Sequence, residues 1–297
     1  MKSIEFLKNP FNYTGAKYKL LPQLLPLFPD RIDNFVDLFG GGGEVSLNVK
    51  ANSIVYNDKC KPLVNIFKNL DNDFVNEVKE IINKYKLDKW NKDGFLKLRS
   101  VYNNSLKDNL NRENAVALYC LLVHAFNYQI AFNSKGEYNM PSGASRSYFS
   151  KSLETKLNKY IDEIGKRNIK FYSEDFHNLS FDNQDFKNTF YYCDPPYLIT
   201  VGAYERDYFC KWSESYEREL LNLLDILDYK QAKFALSNVL EHKGKSNDIL
   251  KEWSKKYNVH YLNMNYKNCN YQTKDKSANS SIEVLITNYE TYKETDN

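Results

Sequence analysis

Between a short apolar run, Asn34 to Leu38, and a helical pattern carried by Val45, Leu47 and Val49 lies Phe39-Gly40-Gly41-Gly42-Gly43-Glu44. Four consecutive glycines at a strand-to-helix junction strip the backbone of Cβ atoms. A ligand can then approach the chain closely, and the helix N-terminus offers it free N–H groups. This junction constrains the chain to an α/β fold with a nucleotide-type pocket at the carboxyl end of the strand. The next strand ends at Asn57-Asp58, placing a carboxylate at its tip, where a ribose diol would be hydrogen-bonded. The run is not Gly-x-Gly-x-x-Gly, because Glu44 and Val45 stand where the third glycine belongs, so a pyrophosphate-bridged dinucleotide is disfavoured. A glycine turn of purely structural use is the plainer alternative.

The rest of the chain supports a sheet of this kind. Seven segments read as strands: Asn34 to Phe39, Ser53 to Tyr56, Ile169 to Tyr172, Thr189 to Cys193, Lys233 to Ser237, Val259 to Tyr266 and Ser281 to Tyr289. Runs such as Phe-Val-Asp-Leu-Phe and Phe-Tyr-Tyr-Cys suit parallel strands covered on both faces. Helical patterns fall between most of them, including Ser213 to Asp228, with Leu220, Leu221, Leu224 and Leu227 in phase, and Ser246 to Lys256. The expected fold class is a doubly wound α/β sheet. Alternation fails between Phe67 and Lys166, where helical patterns follow one another, Val75, Val78, Ile81, Ile82 and Tyr85 on one face and Ala115, Leu118, Leu122 and Ala125 on a broader one. Residues 67–166 therefore read as an inserted helical domain, and 1–66 with 167–297 as the domain that carries the sheet. Within the insertion, Gln129 to Lys151 dissolves into Asn, Ser, Gly and Pro, and a loop of about 20 residues without structure of its own points to function.

Composition narrows the classes. Across 297 residues the net charge is +3, so only the distribution of charge bears on a nucleic-acid partner. No stretch approaches the length of a membrane span, and Met1 to Asn9 lacks the apolar run of a secretory signal. The expectation is a soluble cytoplasmic protein with no membrane partner. Five cysteines show no Cys-x-x-Cys pairing, and His124, His177, His242 and His260 are scattered, so no metal is assigned. Cys193 reads as a buried strand-end residue, and Trp90, Trp212 and Trp253 as packing residues. Lys274, Lys276 and Asn279 lie in a polar loop that is either a DNA-phosphate contact or an exposed hairpin.

A second constellation, Asp194-Pro195-Pro196-Tyr197, follows the buried run Phe190 to Cys193. Two prolines remove two N–H donors, so the strand end presents acceptors and almost no donors. Such a site suits an exocyclic amino group. Adenine N6 would give its two N–H groups to the Asp194 carboxylate and the Pro195 carbonyl, with Tyr197 stacked on the base. Drawing on both protons frees the nitrogen lone pair from the ring and makes it nucleophilic, and proximity to an electrophilic methyl would supply much of the acceleration. Cytosine N4 presents the same donors, so the residues alone leave both bases open.

Phe39-x-Gly41-x-Gly43 followed by Asp194-Pro195-Pro196-Tyr197, with a long insertion between them, resembles the Dam-type DNA adenine N6-methyltransferases of the alpha group, which use S-adenosylmethionine. The similarity runs over nearly the whole chain. Tyr13-Thr14-Gly15-Ala16-Lys17 is similar to the family's N-terminal cofactor motif, and Asn133-x-x-Gly136-x-Tyr138-Asn139-x-Pro141-x-Gly143 to its target-recognition loop. Asp194 to Tyr204 and Ser237 to His242 look most like the Dam methylases of T-even bacteriophages.

The resemblance implies a seven-stranded methyltransferase sheet, with 67–166 as the DNA-recognising insertion and the remainder catalytic. It implies Asp194, Pro195, Pro196 and Tyr197 as the catalytic motif. Tyr13, Lys17, Phe39, Gly40, Gly41, Gly42, Gly43, Glu44, Asp58, Asp175, Phe176, Asp194 and Tyr204 would hold the cofactor. Asn127, Gln129, Asn133, Lys135, Asn139, Pro141 and Arg146 are the expected DNA contacts. GATC-reading relatives carry an arginine two residues before the position of Asn133, and here Ala131 stands there. Arginine is the usual bidentate reader of guanine, so the target is GATC or another short motif, with Ala131 against GATC. The expected partner is double-stranded DNA, with no obligate protein partner and a monomer, or a dimer on DNA. Intact cofactor and catalytic motifs disfavour an idle DNA-binding module. Restriction protection, phage genome marking and regulation stay open.

Overall fold

The computed structural model describes residues 5–11, 13, 15–179, 185–200, 208, 209, 211–263 and 281–291. The strands are β1 (Asn34–Asp37), β2 (Ser53–Asn57), β3 (Ile169–Tyr172), β4 (Thr189–Cys193), β5 (Lys233–His242), β6 (Lys245–Ser246), β7 (Asn258–Leu262) and β8 (Ser281–Thr287). They form one sheet in the order β3-β2-β1-β4-β5-β8-β7, with the two-residue β6 folded back on β5. The first five strands of that order pair in parallel, and β8 lies antiparallel to both β5 and β7. The doubly wound α/β expectation therefore holds, with all seven expected strands found and β6 added. Strand β5 outruns its expected end at Ser237 because a bulge between Val239 and Glu241 lets the pairing with β8 continue.

Strand alternation divides the apolar residues of the central strands between two faces. Phe35, Phe190 and Tyr192 pack on one side with Leu20, Leu21, Leu24 and Phe28, from the segment around α1 (Leu21–Leu24). Val36, Tyr191 and Cys193 pack on the other with Leu220, Leu221 and Leu224. The helix α2 (Glu44–Asn48) follows the glycine turn directly. Between β2 and β3 come α3 (Lys61–Lys68), α4 (Phe74–Tyr85), α5 (Lys92–Val101), α6 (Arg112–His124) and α7 (Lys151–Gly165). Every residue of α6 from Asn114 to His124 is buried, which makes it the axis of this helical layer. The expected boundary at 66/67 falls inside α3, whose apolar residues share one cluster with α4 to α7. After β4 come α8 (Glu214–Tyr229) and α9 (Asp248–Trp253).

The stretch expected to lack structure is more ordered than its composition suggests. Bridges Phe132↔Tyr138 and Ala125↔Ser142 fold it into a small hairpin and its base. Asn103, from a π-helical turn over Tyr102–Leu106, clamps that hairpin by donating to the Tyr138 carbonyl and accepting from its N–H, at 3.0 and 2.8 Å. No helix among the described residues is long and apolar enough to cross a membrane.

Gly43 ties the glycine turn to the helical layer. Its φ is +74°, and a Cβ there would sit 2.5 Å from the Tyr160 hydroxyl, which donates to the Gly42 carbonyl at 2.9 Å. In chemical denaturation, Gly43→Ala should lose about 1–3 kcal/mol, from left-handed strain plus overlap. Adding Tyr160→Phe should recover part of that loss by removing the oxygen. Wild-type stability in the single variant would contradict this picture.

Candidate active site

The strand order reverses between β1 and β4, and their carboxyl ends open a crevice there, the usual ligand position in a doubly wound sheet. A cavity of about 210 Å³ occupies it, lined by the glycine turn, Asp58, the strand end Asp194 to Tyr197 and the segment carrying Tyr13 and Lys17. Gly41 adopts φ +48°, with its Cα so close to Tyr13 that a Cβ would meet the ring at 2.7 Å. The Gly41 N–H donates to Asp58 Oδ2 and the Cys60 N–H to Asp58 Oδ1, each at 2.8 Å. Burial raises the Asp58 pKa, and these two donors oppose the rise. Each of its oxygens keeps a lone pair for a further donor such as a sugar hydroxyl.

Asp194 follows the fully buried β4 and sits against Lys17, with Nζ 2.6 Å from Oδ2. Tyr197 Oη donates to Oδ1 at 3.1 Å. The Lys17 ammonium also donates to the Gly15 carbonyl at 2.9 Å and lies 5.2 Å from the Tyr197 ring centre. Burial would lower the Lys17 pKa, but the attraction and hydrogen bond of Asp194 outweigh it, and the ammonium is held well above its ordinary range. Burial raises Asp194, while Lys17 and then Tyr197 pull it back toward the ionised form. Pro195 and Pro196 line the same cavity.

Two further carboxylates face this pair. Glu44 accepts from Asn9 Nδ2 at 2.9 Å, and burial pushes it up to about 7 against the Lys17 N–H and the Lys17 charge. Asp37, not among the residues singled out from sequence, lines the cavity at the last position of β1. Its Oδ2 accepts from Ser46 Oγ at 2.6 Å, whereas its buried Oδ1 has no protein partner. Burial pushes Asp37 up to about 7 against the Ser46 bond, helped by the Asp194 and Asp58 charges. An acid at the end of a buried strand, three residues before the first glycine of the turn, was the available signal.

The opposite wall is aromatic. Phe39 packs on Phe176 at 5.5 Å and edge-on to Trp212 at 5.7 Å, and Tyr216 closes the corner. Asp175 takes Lys59 Nζ and His177 Nδ1, both at 2.6 Å. Burial would raise Asp175, but these two bonds hold it below the usual carboxylate range. Trp212 and Tyr216 join the site although sequence reading gave Trp212 only a packing role; their distance from both motifs hid them.

Of the expected site residues, the cavity brings together Tyr13, Lys17, Phe39, Gly40, Gly41, Gly42, Glu44, Asp58, Asp175, Phe176 and Asp194 to Tyr197. Gly43 lies behind the turn, against Tyr160 and Phe67. Tyr204 falls outside the described residues, as do Lys274, Lys276 and Asn279. The hairpin adjoins the cavity through Phe132, which packs edge-on at 5.2 Å against the cavity-lining Phe209. Asn133 shapes the hairpin: Oδ1 accepts from the Lys135 and Glu137 N–H groups and Nδ2 donates to Glu137 Oε2. Asn127, Lys135, Asn139, Pro141 and Arg146 are exposed, and Gln129 is half-buried. Among the described residues no group of three or more His, Cys, Asp or Glu is placed to hold a metal ion.

Comparison with known proteins identifies the family. A family model described as D12 class N6 adenine-specific DNA methyltransferase matches residues 13–268. The type II methyltransferase M.FokI of Planomicrobium okeanokoites is 43% identical over 98% of this chain and 44% of its own length. The modification methylase StsI of Streptococcus sanguinis is 41% identical over 97% of this chain and 44% of its own length. A DNA adenine methylase of Haemophilus influenzae is 27% identical over 66% of this chain and 65% of its own. The chain thus spans less than half the length of the first two relatives.

Asp37 and Glu44, both raised to about 7, bind more protons folded than unfolded between roughly pH 4 and 7, so their charges weaken the fold as pH rises through that window. The Tm should fall between pH 5 and pH 8. Asp37→Asn should flatten that fall and raise the Tm at pH 8 by roughly 2–4 °C or more. A lower Tm for the variant at pH 8 would contradict the assignment.

Proposed function

The chain belongs to the D12 class N6 adenine-specific DNA methyltransferase family, and from that premise we propose that it methylates the N6 amino group of an adenine rotated out of a short duplex DNA site. The observation that carries this reading is the buried Asp194, paired with Lys17 at 2.6 Å, at a strand end where two prolines remove backbone N–H donors. The methyl donor we assign is S-adenosylmethionine. When bound, it supplies an electrophilic methyl group on a positively charged sulfur.

The residues present suit that cofactor. The unpartnered Asp37 Oδ1 is an acceptor for an ammonium group, and Asp58 for a ribose diol. Phe39, Phe176 and Asp175 offer a purine two faces and an edge acceptor. Lys17 pulls Asp194 toward the ionised, acceptor-only state against the effect of burial. Asp194 and the Pro195 carbonyl can then accept the two N–H groups of the target base, while Tyr197 presents a ring for stacking. Exclusion of water from so enclosed a strand end strengthens each of these bonds.

We assign residues 67–166 to target recognition and 1–66 with 167–297 to catalysis. The contact of Phe132, in the 131–139 hairpin, with the cavity-lining Phe209 supports a recognition role for this insertion beside the crevice. Asn133 serves this reading by shaping the loop. Ala131 leaves a guanine-reading arginine absent from that position, so the motif read is GATC or another short site, with Ala131 against GATC. Cytosine N4 would satisfy the same acceptors, but the match is to adenine-specific enzymes. The names of the relatives, a type II methyltransferase and a modification methylase, point to restriction-modification as the setting, with duplex DNA in the cytoplasm as the partner.

Asp194→Asn keeps the shape of the side chain but turns one acceptor into a donor. Methyl transfer from S-adenosylmethionine to duplex DNA should fall by at least roughly 100-fold. Nucleoside analysis of wild-type product should yield N6-methyladenine. Undiminished transfer by the variant, or N4-methylcytosine as sole product, would overturn the assignment.

A further inference from the structure

Trp212 precedes α8, and its indole forms part of the cavity wall, 5.7 Å from Phe39 and 5.9 Å from Phe176. The indole Nε1–H donates to Glu217 Oε2 at 2.7 Å. Glu217 lies in the first turn of α8 and is 0% exposed. Its other oxygen, Oε1, accepts from Asn238 Nδ2 at 3.1 Å and from Asn247 Nδ2 at 3.0 Å. Neither amide can turn round without loss. Asn238 Oδ1 already accepts the Val239 N–H at 2.8 Å, and Asn247 Oδ1 accepts the Leu250 N–H at 3.1 Å as the cap of α9.

Three N–H donors from separate parts of the chain thus converge on one buried carboxylate that takes no part in the chemistry assigned to Asp194. Charge-assisted bonds of this kind are short, directional and about twice as strong as neutral ones. Burying the carboxylate is tolerable only while its donors stay in place. Asn238 stands on β5 and Asn247 at the start of α9, so two of the donors fix the carboxylate against the sheet. The third hands that fixed position to the indole.

We infer that Glu217 is a positioning residue for the cofactor pocket: it holds the Trp212 indole against Phe39 and Phe176 as the wall for the purine of the cofactor. The inference rests on the function proposed above. Glutamine at 217 would present one carbonyl and an NH₂ group to three donors, so at least one donor would lose its acceptor and the indole its anchor.

The test is a double-mutant cycle on affinity for S-adenosylmethionine, measured by calorimetry on wild type, Glu217→Gln, Trp212→Phe and the double variant. Glu217→Gln should weaken binding by about tenfold, with kcat at saturating cofactor within about twofold of wild type. In the Trp212→Phe background, which has no indole N–H, Glu217→Gln should add nothing further. Equal loss in both backgrounds would mean that Glu217 only joins α8, β5 and α9, and would overturn the inference, as would unchanged affinity. Should Glu217→Gln not fold, Trp212→Phe alone decides: reduced affinity supports the wall, and wild-type affinity overturns it. Wild type that binds no S-adenosylmethionine would overturn the proposed function, and this inference with it.

Discussion

The site depends on one buried ion pair. The Lys17 ammonium and the Asp194 carboxylate lie 2.6 Å apart with side-chain exposures of 7% and 16%. Neither charge could be placed there alone, since an unpaired buried ion loses several kcal/mol of hydration that nothing returns. The N-terminal segment that carries Lys17 and the strand end that carries Asp194 must therefore be docked together for either to persist. That coupling leaves a carboxyl group at a place where two prolines have removed backbone N–H donors. Acceptors fixed in this way need no rearrangement to receive a donor, which is where preorganisation has its largest effect.

Around this pair the protein accumulates negative charge at its own expense. Asp37, Glu44 and Asp58 all face the crevice, and burial raises the pKa of each. Mutual repulsion between Asp37, Asp58 and Asp194 adds to the effect at Asp37. Such an arrangement weakens the fold at neutral pH and is relieved by a ligand that brings positive charge and hydroxyl donors. The aromatic corner of Phe39, Phe176 and Trp212 supplies the complementary apolar wall. Stability given up at a site of this kind is the usual counterpart of binding strength.

Much of this was legible in the sequence because it rests on local signals. Strand and helix periodicity located every strand of the main sheet path, and the glycine turn and Asp194 to Tyr197 marked the two sides of the crevice. What escaped depends on tertiary partners. Asp37 reads as one polar residue in an apolar strand until its orphan oxygen is seen. Trp212 gains its role from Glu217, whose other partners come from β5 and the start of α9. The hairpin at 131–139 has the composition of a loop, and it is the clamp from Asn103 and the internal bonds of Asn133 that give it form. The helical layer has no break at residue 66, because α3 packs into the same cluster as α6.

Asn133, committed to Glu137 and Lys135, contributes shape to the 131–139 hairpin. The most direct measurement is single-molecule sequencing of genomic DNA from a methylation-free bacterial host expressing this chain. The account predicts N6-methyladenine confined to one short motif, and absent when the host expresses Asp194→Asn. Unmodified adenine throughout, or modification confined to cytosine, would contradict it.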